Sequence, residues 1–232
     1  FLNYYQQYLY YWWGDGKDYC LYFLLILLYF YNLLYIMNTQ IYNLDDINDI
    51  IKKEGLDILI ISYGGCCSNI FVNKLIKNGY NCLTDSWHKI LCHCPIYIDV
   101  NIPVIYIYDN PIKAFLSQKR RGIGIWDVNQ TKLSNNHNIE LSDENLLKLM
   151  IKQFNSWTNN RRDNVFVIKS AEIFEDGILN KLKKILGKDL SHFPLEYKTP
   201  KIMQDDIEKF KSSELFKKYE SEIEEIIKFN FV

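Results

Sequence analysis

A glycine turn between an apolar run and an amphipathic stretch is the first segment of the chain that could do chemistry. Residues 56–77 open with an isoleucine-rich run of strand length at residues 56–61, as in a strand buried on both faces. Gly64 and Gly65 interrupt that run, and Ser68 or Asn69 can cap a following helix. The N–H groups and the positive dipole end of that helix would meet at the turn and favour phosphate or sulfate. An ordinary strand-to-helix turn is the alternative, because Gly-Gly is common in turns.

Cysteine and histidine form the second chemically suggestive group. The six cysteines are Cys20, Cys66, Cys67, Cys82, Cys92 and Cys94. They follow no regular disulfide spacing, which in a chain of this length indicates reduced thiols and a reducing compartment. Cys92, His93 and Cys94, joined by Cys82 or Cys67, could bind zinc, but the paired CxxC spacing of structural zinc sites is absent. We therefore expect no metal, and His93 by residue type alone is predicted to be a loop histidine bonded to the backbone.

Length and charge narrow the classes of protein. A chain of 232 residues can bury a good core, so one domain with an appendage is the natural expectation. The formal net charge of -1 provides no broad basic field, which argues against binding nucleic acid mainly through its phosphates. We predict a cytoplasmic protein.

The aromatic-rich segment 1–36 differs in composition from residues 37–232. Residues 20–37 are uncharged and reach the lower limit for a membrane-spanning helix, so a single-pass anchor is one interpretation. A helix packed on the domain is the second. Translated sequence upstream of a start at Met37 is the third, and we favour it because the composition changes abruptly there. Membrane contact is expected only through residues 20–37.

Three apolar runs separated by helical patterns predict the fold class. The second and third runs are residues 104–108 and 165–169, and Pro111 suits the first turn of a helix. Strands that alternate with helices imply right-handed crossovers and a mainly parallel sheet flanked by helices. Residues 122–138 are predicted to form a long loop. The predicted helices are residues 44–54, one capped by Ser68 or Asn69 that ends near Asn78-Gly79, 112–121, a long one from Ser142, and 172–186, and the tail at 205–231 is predicted to be helical.

Several segments, in order, resemble the sulfotransferase family. SYGGCCSN at residues 62–69 resembles the loop that binds the 5′-phosphosulfate, and ILCHCP at 90–95 looks like the segment that carries the catalytic histidine. VIYIYDNPIKAFLS at 104–117 resembles the strand, Asn-Pro turn and serine that bind the 3′-phosphate. The late strand within residues 157–176 is also similar. The resemblance covers roughly residues 57–187.

This resemblance implies a three-layer P-loop-like fold and sulfuryl transfer from 3′-phosphoadenosine-5′-phosphosulfate (PAPS) to a hydroxyl or amine, without a metal. His93 takes the place of the catalytic base, with His88 as the fallback. The acceptor would be a small molecule, or a hydroxyl group of a glycan or protein. The implied donor-binding residues are Tyr63, Gly64, Gly65, Cys66, Cys67, Ser68, Asn69, Asp109, Ser117 and Arg121.

Departures from the family pattern concern positive charge. The loop lacks the usual lysine or arginine, Asp109 replaces the arginine before Asn-Pro, and Leu91 replaces a lysine near the histidine. Lys113, Lys119, Arg120 or Arg121 could restore that charge, or could form a solvated helix end. A degenerate anion-binding protein without turnover is therefore one alternative. A P-loop NTPase or kinase is a weaker one, because the loop has no Gly-Lys-Ser/Thr.

Overall fold

The computed structural model describes residues 47–82, 92–121, 142–159, 162–187, 189–190 and 202–229. The chain divides into two units, Phe1–Gln40 and Ile41–Val232, and every described residue belongs to the second. The predictions for residues 1–36, for the loop at 122–138 and for His88 lie outside the described residues.

Three parallel strands form the sheet, in the spatial order β1, β2, β3. They are β1 (Leu59–Ser62), β2 (Val104–Tyr108) and β3 (Val165–Lys169). Ile61 is paired with Tyr106, and Tyr106 with Val167. Because the strands are parallel, the residues that follow them meet at one edge of the sheet, where open α/β sheets bind ligands.

Helices flank the sheet, so the α/β class with a parallel sheet is confirmed. They are α1 (Ile47–Glu54), α2 (Ser68–Lys77), α3 (Pro111–Arg121), α4 (Asp143–Asn159), α5 (Ile178–Leu186), α6 (Gln204–Lys211) and α7 (Glu214–Lys228), and a 3₁₀ helix covers Ser170–Phe174. Local signals set several ends: Gly55 follows α1 with a φ of 61°, and Ser142 Oγ accepts the Asn145 N–H at 3.2 Å before α4.

Aromatic side chains join α4 to the sheet. Tyr106 stacks on Trp157 with ring centroids 6.1 Å apart, and Tyr108 meets the ring of Phe154 at 5.4 Å. Ile105 and Ile107, which alternate with these tyrosines and face the other side of β2, are fully buried as well. Both faces of the central strand are therefore covered, as its continuous apolar sequence predicts.

The end of α7 covers part of the carboxyl edge. Tyr108 Oη donates a hydrogen bond to the Phe229 carbonyl at 2.8 Å, and Lys169 Nζ lies 3.4 Å from the Ile227 carbonyl. The ends of β2 and β3 are thus occupied by the chain itself, whereas β1 is followed by the glycine turn. In the part of the chain that the structure describes, the helices are too short or too polar to cross a bilayer.

Candidate functional site

The turn after β1 begins α2 in a way that offers amide groups to a ligand. Gly64, Gly65 and Cys67 have φ values of 85°, 75° and 59°, so the backbone is left-handed at three positions. The helix begins at Ser68, and the Cys67 carbonyl accepts hydrogen bonds from the N–H groups of residues 70 and 71. The first amides of any helix have no acceptor within that helix and carry its positive dipole end. The strand, glycine turn and helix start that the sequence predicts are therefore present, with the cap at Cys67 rather than at Ser68 or Asn69.

One side of this loop is packed and the other reaches solvent. Tyr63 and Cys66 are fully buried, and a Cβ built on Gly65 would lie 3.0 Å from the main-chain Cα of Ala114 in α3. Gly65 itself, Cys67 and Ser68 are half-buried, and Asn69 is exposed. The loop is therefore packed against α3 on one side and partly exposed on the other.

Ser62, the last residue of β1, contacts both the loop and the histidine. Its hydroxyl oxygen lies 3.0 Å from the hydroxyl oxygen of Ser68 and accepts the Gly64 N–H at 3.3 Å. Its carbonyl oxygen lies 2.7 Å from His93 Nδ1. The sequence analysis did not select Ser62, although a serine between a strand and a glycine turn is a usable signal.

The contact with Ser62 decides the chemistry available to His93. A carbonyl oxygen can only accept a hydrogen bond, so Nδ1 carries the proton of the neutral ring. Nε2 then holds the lone pair that can accept a proton. His93 is half-buried, beside the carboxyl end of β1. The structure therefore places His93 beside β1 with its ring bonded to the backbone, as its residue type alone predicts.

Two of the cysteines near this histidine, Cys82 and Cys94, are buried thiols. Burial raises the pKa of the Cys82 and Cys94 thiols to about 12, so both stay protonated at neutral pH. Within the described ranges, three or more histidine, cysteine or acidic side chains do not come together in a way that could hold a metal ion.

Asp109 follows β2 and is engaged by hydrogen-bond donors. Its Oδ1 accepts the Asn110 N–H at 2.6 Å, and the Ser170 hydroxyl also bonds the carboxyl group. Burial raises the pKa of Asp109 and outweighs these donors and the nearby Lys113 and Lys169. The carboxyl group is therefore paired within the chain, which answers how an acidic residue is tolerated at this position.

The raised pKa of Asp109 makes stability depend on pH. The folded protein holds this proton above the ordinary pKa of 3.8, whereas the unfolded chain has released it, so the Asp109 contribution to stability falls as pH rises from 3.8 through the folded pKa. Asp109→Asn should therefore gain stability over the wild type across that range. Urea unfolding at a series of pH values checks this prediction. The same pH dependence of the free energy of unfolding in both proteins would contradict it.

Tyr63 joins the loop to the end of β2. Its hydroxyl donates to the Asp109 carbonyl and accepts the Asp109 N–H at 2.8 Å. Burial raises the pKa of Tyr63 well above its ordinary value, so the hydroxyl keeps its proton as a donor. The loop is thereby held against β2 as well as against α3.

Removing this hydroxyl should be costly, because Tyr63→Phe leaves two buried backbone groups of Asp109 without their partner. We expect a loss of about 1–3 kcal/mol in the free energy of unfolding, measured with urea. Tyr106→Phe is the matched control. The Tyr106 hydroxyl is equally buried, and among the described residues it has no hydrogen-bond partner, so its removal should be neutral or stabilising. Equal losses in the two variants would contradict the role given to Tyr63.

The remaining predicted donor-binding residues lie on α3. Ser117 is half-buried and sits one turn beyond Ala114, the residue against Gly65. The buried Gln118, which sequence analysis did not select, places Nε2 within 3.5 Å of the Tyr63 carbonyl. Lys119 pairs with Asp143 at 2.6 Å, so its charge is partly compensated. Arg121 ends the helix, and its side chain lies outside what the structure describes.

Comparison with known proteins adds no family to this picture. Neither family models, nor curated proteins, nor solved structures match the chain. The resemblance to sulfotransferases therefore depends on the residues and geometry described above.

Proposed function

We propose that the protein is a PAPS-dependent sulfotransferase. The observation that carries the proposal is the 2.7 Å contact between His93 Nδ1 and the carbonyl of Ser62. It places a ring nitrogen with a lone pair beside the strand whose following loop presents helix amides. These are the parts that sulfuryl transfer needs: a base for the acceptor and donors for the oxyanion.

In the proposed reaction, His93 Nε2 removes the proton of an acceptor hydroxyl. The acceptor oxygen forms a bond to the sulfur of PAPS as the bond between that sulfur and the phosphate oxygen breaks. Adenosine 3′,5′-bisphosphate leaves with the electron pair. The amides at the start of α2 would stabilise the charge on the transferring and leaving groups, and the ends of α2 and α3 would position the donor.

A sulfotransferase function implies a specific fold, an acceptor class and a cellular compartment. The order strand, glycine loop, helix, together with a central strand buried on both faces, supports a three-layer P-loop-like fold for residues 37–232. The acceptor we propose is a small molecule or a hydroxyl group on a glycan or protein, and the compartment is the cytoplasm. Ser117 and Arg121 remain the residues proposed for the 3′-phosphate.

A second candidate, anion binding without turnover, is favoured by one specific observation. Asp109 is a carboxyl group held by Ser170 and Asn110 at the position where the family pattern has an arginine. The loop itself, residues 62–69, carries no basic side chain. A protein with these features could keep the fold and the oxyanion contacts while binding the donor too weakly for catalysis.

A thermal-shift titration with adenosine 3′,5′-bisphosphate tests the binding part of the proposal. Ligand at 100 times its dissociation constant should stabilise the folded protein by about 2.7 kcal/mol. Adenosine 5′-monophosphate, which lacks the 3′-phosphate, serves as the control and should shift the melting temperature less. Absence of any shift at millimolar ligand would overturn the proposal, and stabilisation only by ATP with magnesium would favour a nucleotide hydrolase or kinase.

Turnover separates the two candidates. The protein is incubated with PAPS and a mixture of phenolic, alcohol and sugar acceptors, and release of adenosine 3′,5′-bisphosphate is followed by chromatography. Acceptor-dependent release supports the sulfotransferase. Binding of the bisphosphate without release across these acceptor classes supports the anion-binding protein.

A further inference from the structure

Helix α4 holds the segment that carries His93. Gln153 Nε2 and Trp157 Nε1 both donate hydrogen bonds to the Cys94 carbonyl, at 2.7 and 3.0 Å. One turn of helix separates the two donors, so they reach the same acceptor from one face of α4. On the same helix, Ser156 Oγ accepts the Tyr97 N–H at 2.7 Å. The backbone on the C-terminal side of the histidine is thus fastened at two points.

Stability does not explain why position 153 holds glutamine. The side chain is fully buried, and its Oε1 has no hydrogen-bond partner within the described part of the chain. The amide cannot be reversed to improve this, because Oε1 would then face the Cys94 carbonyl, which only accepts. A buried acceptor without a partner is costly, and an apolar side chain of the same size would avoid that cost. The contact with Cys94 must then serve another purpose.

We infer that Gln153 and Trp157 are positioning residues that set the location of His93 relative to the loop, an inference that rests on the proposed function. Cys94 directly follows His93, so the two donors fix the backbone within one residue of the imidazole. On its other side the ring is held by the Ser62 carbonyl. These two attachments fix the ring beside β1 and keep Nδ1 protonated.

Gln153→Met tests the inference, because methionine preserves the volume and the apolar stem but cannot donate a hydrogen bond. In the full-length protein labelled with ¹⁵N-histidine, the ring nitrogen shifts of His93 report the tautomer at about pH 8.5, where imidazole is neutral. A His93→Gln variant assigns the signal. The wild type should show the Nδ1–H form. The variant should show a growing share of the Nε2–H form, with a melting temperature equal to or above that of the wild type.

Leu147→Ala is the matched control, since Leu147 is a fully buried residue of α4 that precedes Gln153 in the helix and has no donor to offer the Cys94 carbonyl. It should lower the melting temperature and leave the His93 tautomer unchanged. If Gln153→Met aggregates, Trp157→Phe removes the other donor and is read in the same way. An unchanged tautomer in the folded donor variant, or an equal change in Leu147→Ala, would overturn the inference.

The tautomer measurement needs no PAPS, so it separates this inference from the proposed function. If the enzyme is active, Gln153→Met should lower kcat about 10-fold or more with little change in KM for PAPS, as expected of a displaced base. A normal kcat in Gln153→Met would overturn the positioning role. A tautomer change in a protein that never turns over PAPS would overturn the proposed function and leave the structural role of Gln153 in place.

Discussion

Replacing His93 with glutamine should reduce acceptor-dependent release of adenosine 3′,5′-bisphosphate from PAPS by about 100-fold or more. Glutamine can still donate a hydrogen bond to the Ser62 carbonyl, which now lies 2.7 Å from Nδ1. It has no nitrogen lone pair that can accept a proton, so general base catalysis is lost, and such catalysis typically contributes 10² to 10⁴-fold, roughly. The measurement is kcat with PAPS and the best acceptor of the mixture, together with bisphosphate affinity from thermal shift, which should change little.

Cys92→Ser is the control for this variant, because residue 92 is half-buried in the same short turn and has no part in the proposed reaction. It should keep the wild-type kcat. Full activity in His93→Gln would show that His93 is not the general base. His88, which lies outside the described residues, would then be the next candidate. Loss of bisphosphate binding in His93→Gln, with the fold intact, would instead indicate a binding role.

Gly65→Ala should be the most damaging small substitution in the loop. Alanine at the φ of +75° is strained, and its Cβ would meet Ala114 Cα at 3.0 Å and the Ala114 carbonyl oxygen at 3.1 Å. Backbone strain of this kind costs about 1–2 kcal/mol, and overpacking against main chain adds about 1–3 kcal/mol. Urea unfolding should therefore show a loss of about 2–5 kcal/mol, the sum of these two costs.

Gly79→Ala separates strain from overlap. Gly79 has a φ of +83°, but among the described residues no atom lies within 4 Å of the Cβ position. The Gly79→Ala variant should lose only the part of the free energy of unfolding that backbone strain accounts for. Comparable losses in the two variants would mean that α3 yields to the new methyl group, and the close packing of the loop on α3 would then not be rigid. If α3 is rigid, the surviving folded fraction of Gly65→Ala should also bind the bisphosphate more weakly, because the loop must shift.

The strands were the most predictable part of the fold. The runs at 104–108 and 165–169 match β2 and β3, because each is a continuous apolar sequence bounded by polar residues. The first run was predicted as residues 56–61, whereas β1 is Leu59–Ser62. The difference arises because the N–H of Leu56 bonds the Ile51 carbonyl at the end of α1, and the N–H of Asp57 bonds the Asn81 carbonyl. Apolar character alone does not reveal which residues pair within the sheet.

Helix boundaries were predicted less well where serine or glycine interrupts the pattern. The tail predicted to be helical from 205 to 231 is helical over most of its described length, but it forms two helices, since α6 ends at Lys211 and Ser213 Oγ accepts the Phe216 N–H to begin α7. The helix predicted at 172–186 is likewise divided, because the 3₁₀ helix ends at Phe174 and α5 begins only after Gly177. In both regions the apolar spacing continues across the break between helices, so hydrophobic periodicity alone does not reveal the break.

The site was predictable where it is local in sequence and not where it depends on distant contacts. The glycine turn and the start of α2 follow from consecutive residues. The contact of Tyr63 with Asp109, 46 positions away, and that of Gln153 with Cys94, 59 positions away, required the fold. Ser62 and His93 are 31 positions apart, and only the fold shows that they lie in contact beside β1.

The two bonds made by Ser62 have a consequence for how the protein should fail when heated. One residue fastens the imidazole through its carbonyl at 2.7 Å and the Gly64 amide through its hydroxyl at 3.3 Å, so the spacing between His93 and the glycine loop is fixed by covalent geometry and these two contacts. Substitutions far from the site that destabilise the domain should then lower the fraction of folded molecules, and should leave the turnover rate of each folded molecule unchanged. Specific activity corrected for the intact fraction should stay constant until the global transition, and disappear with it.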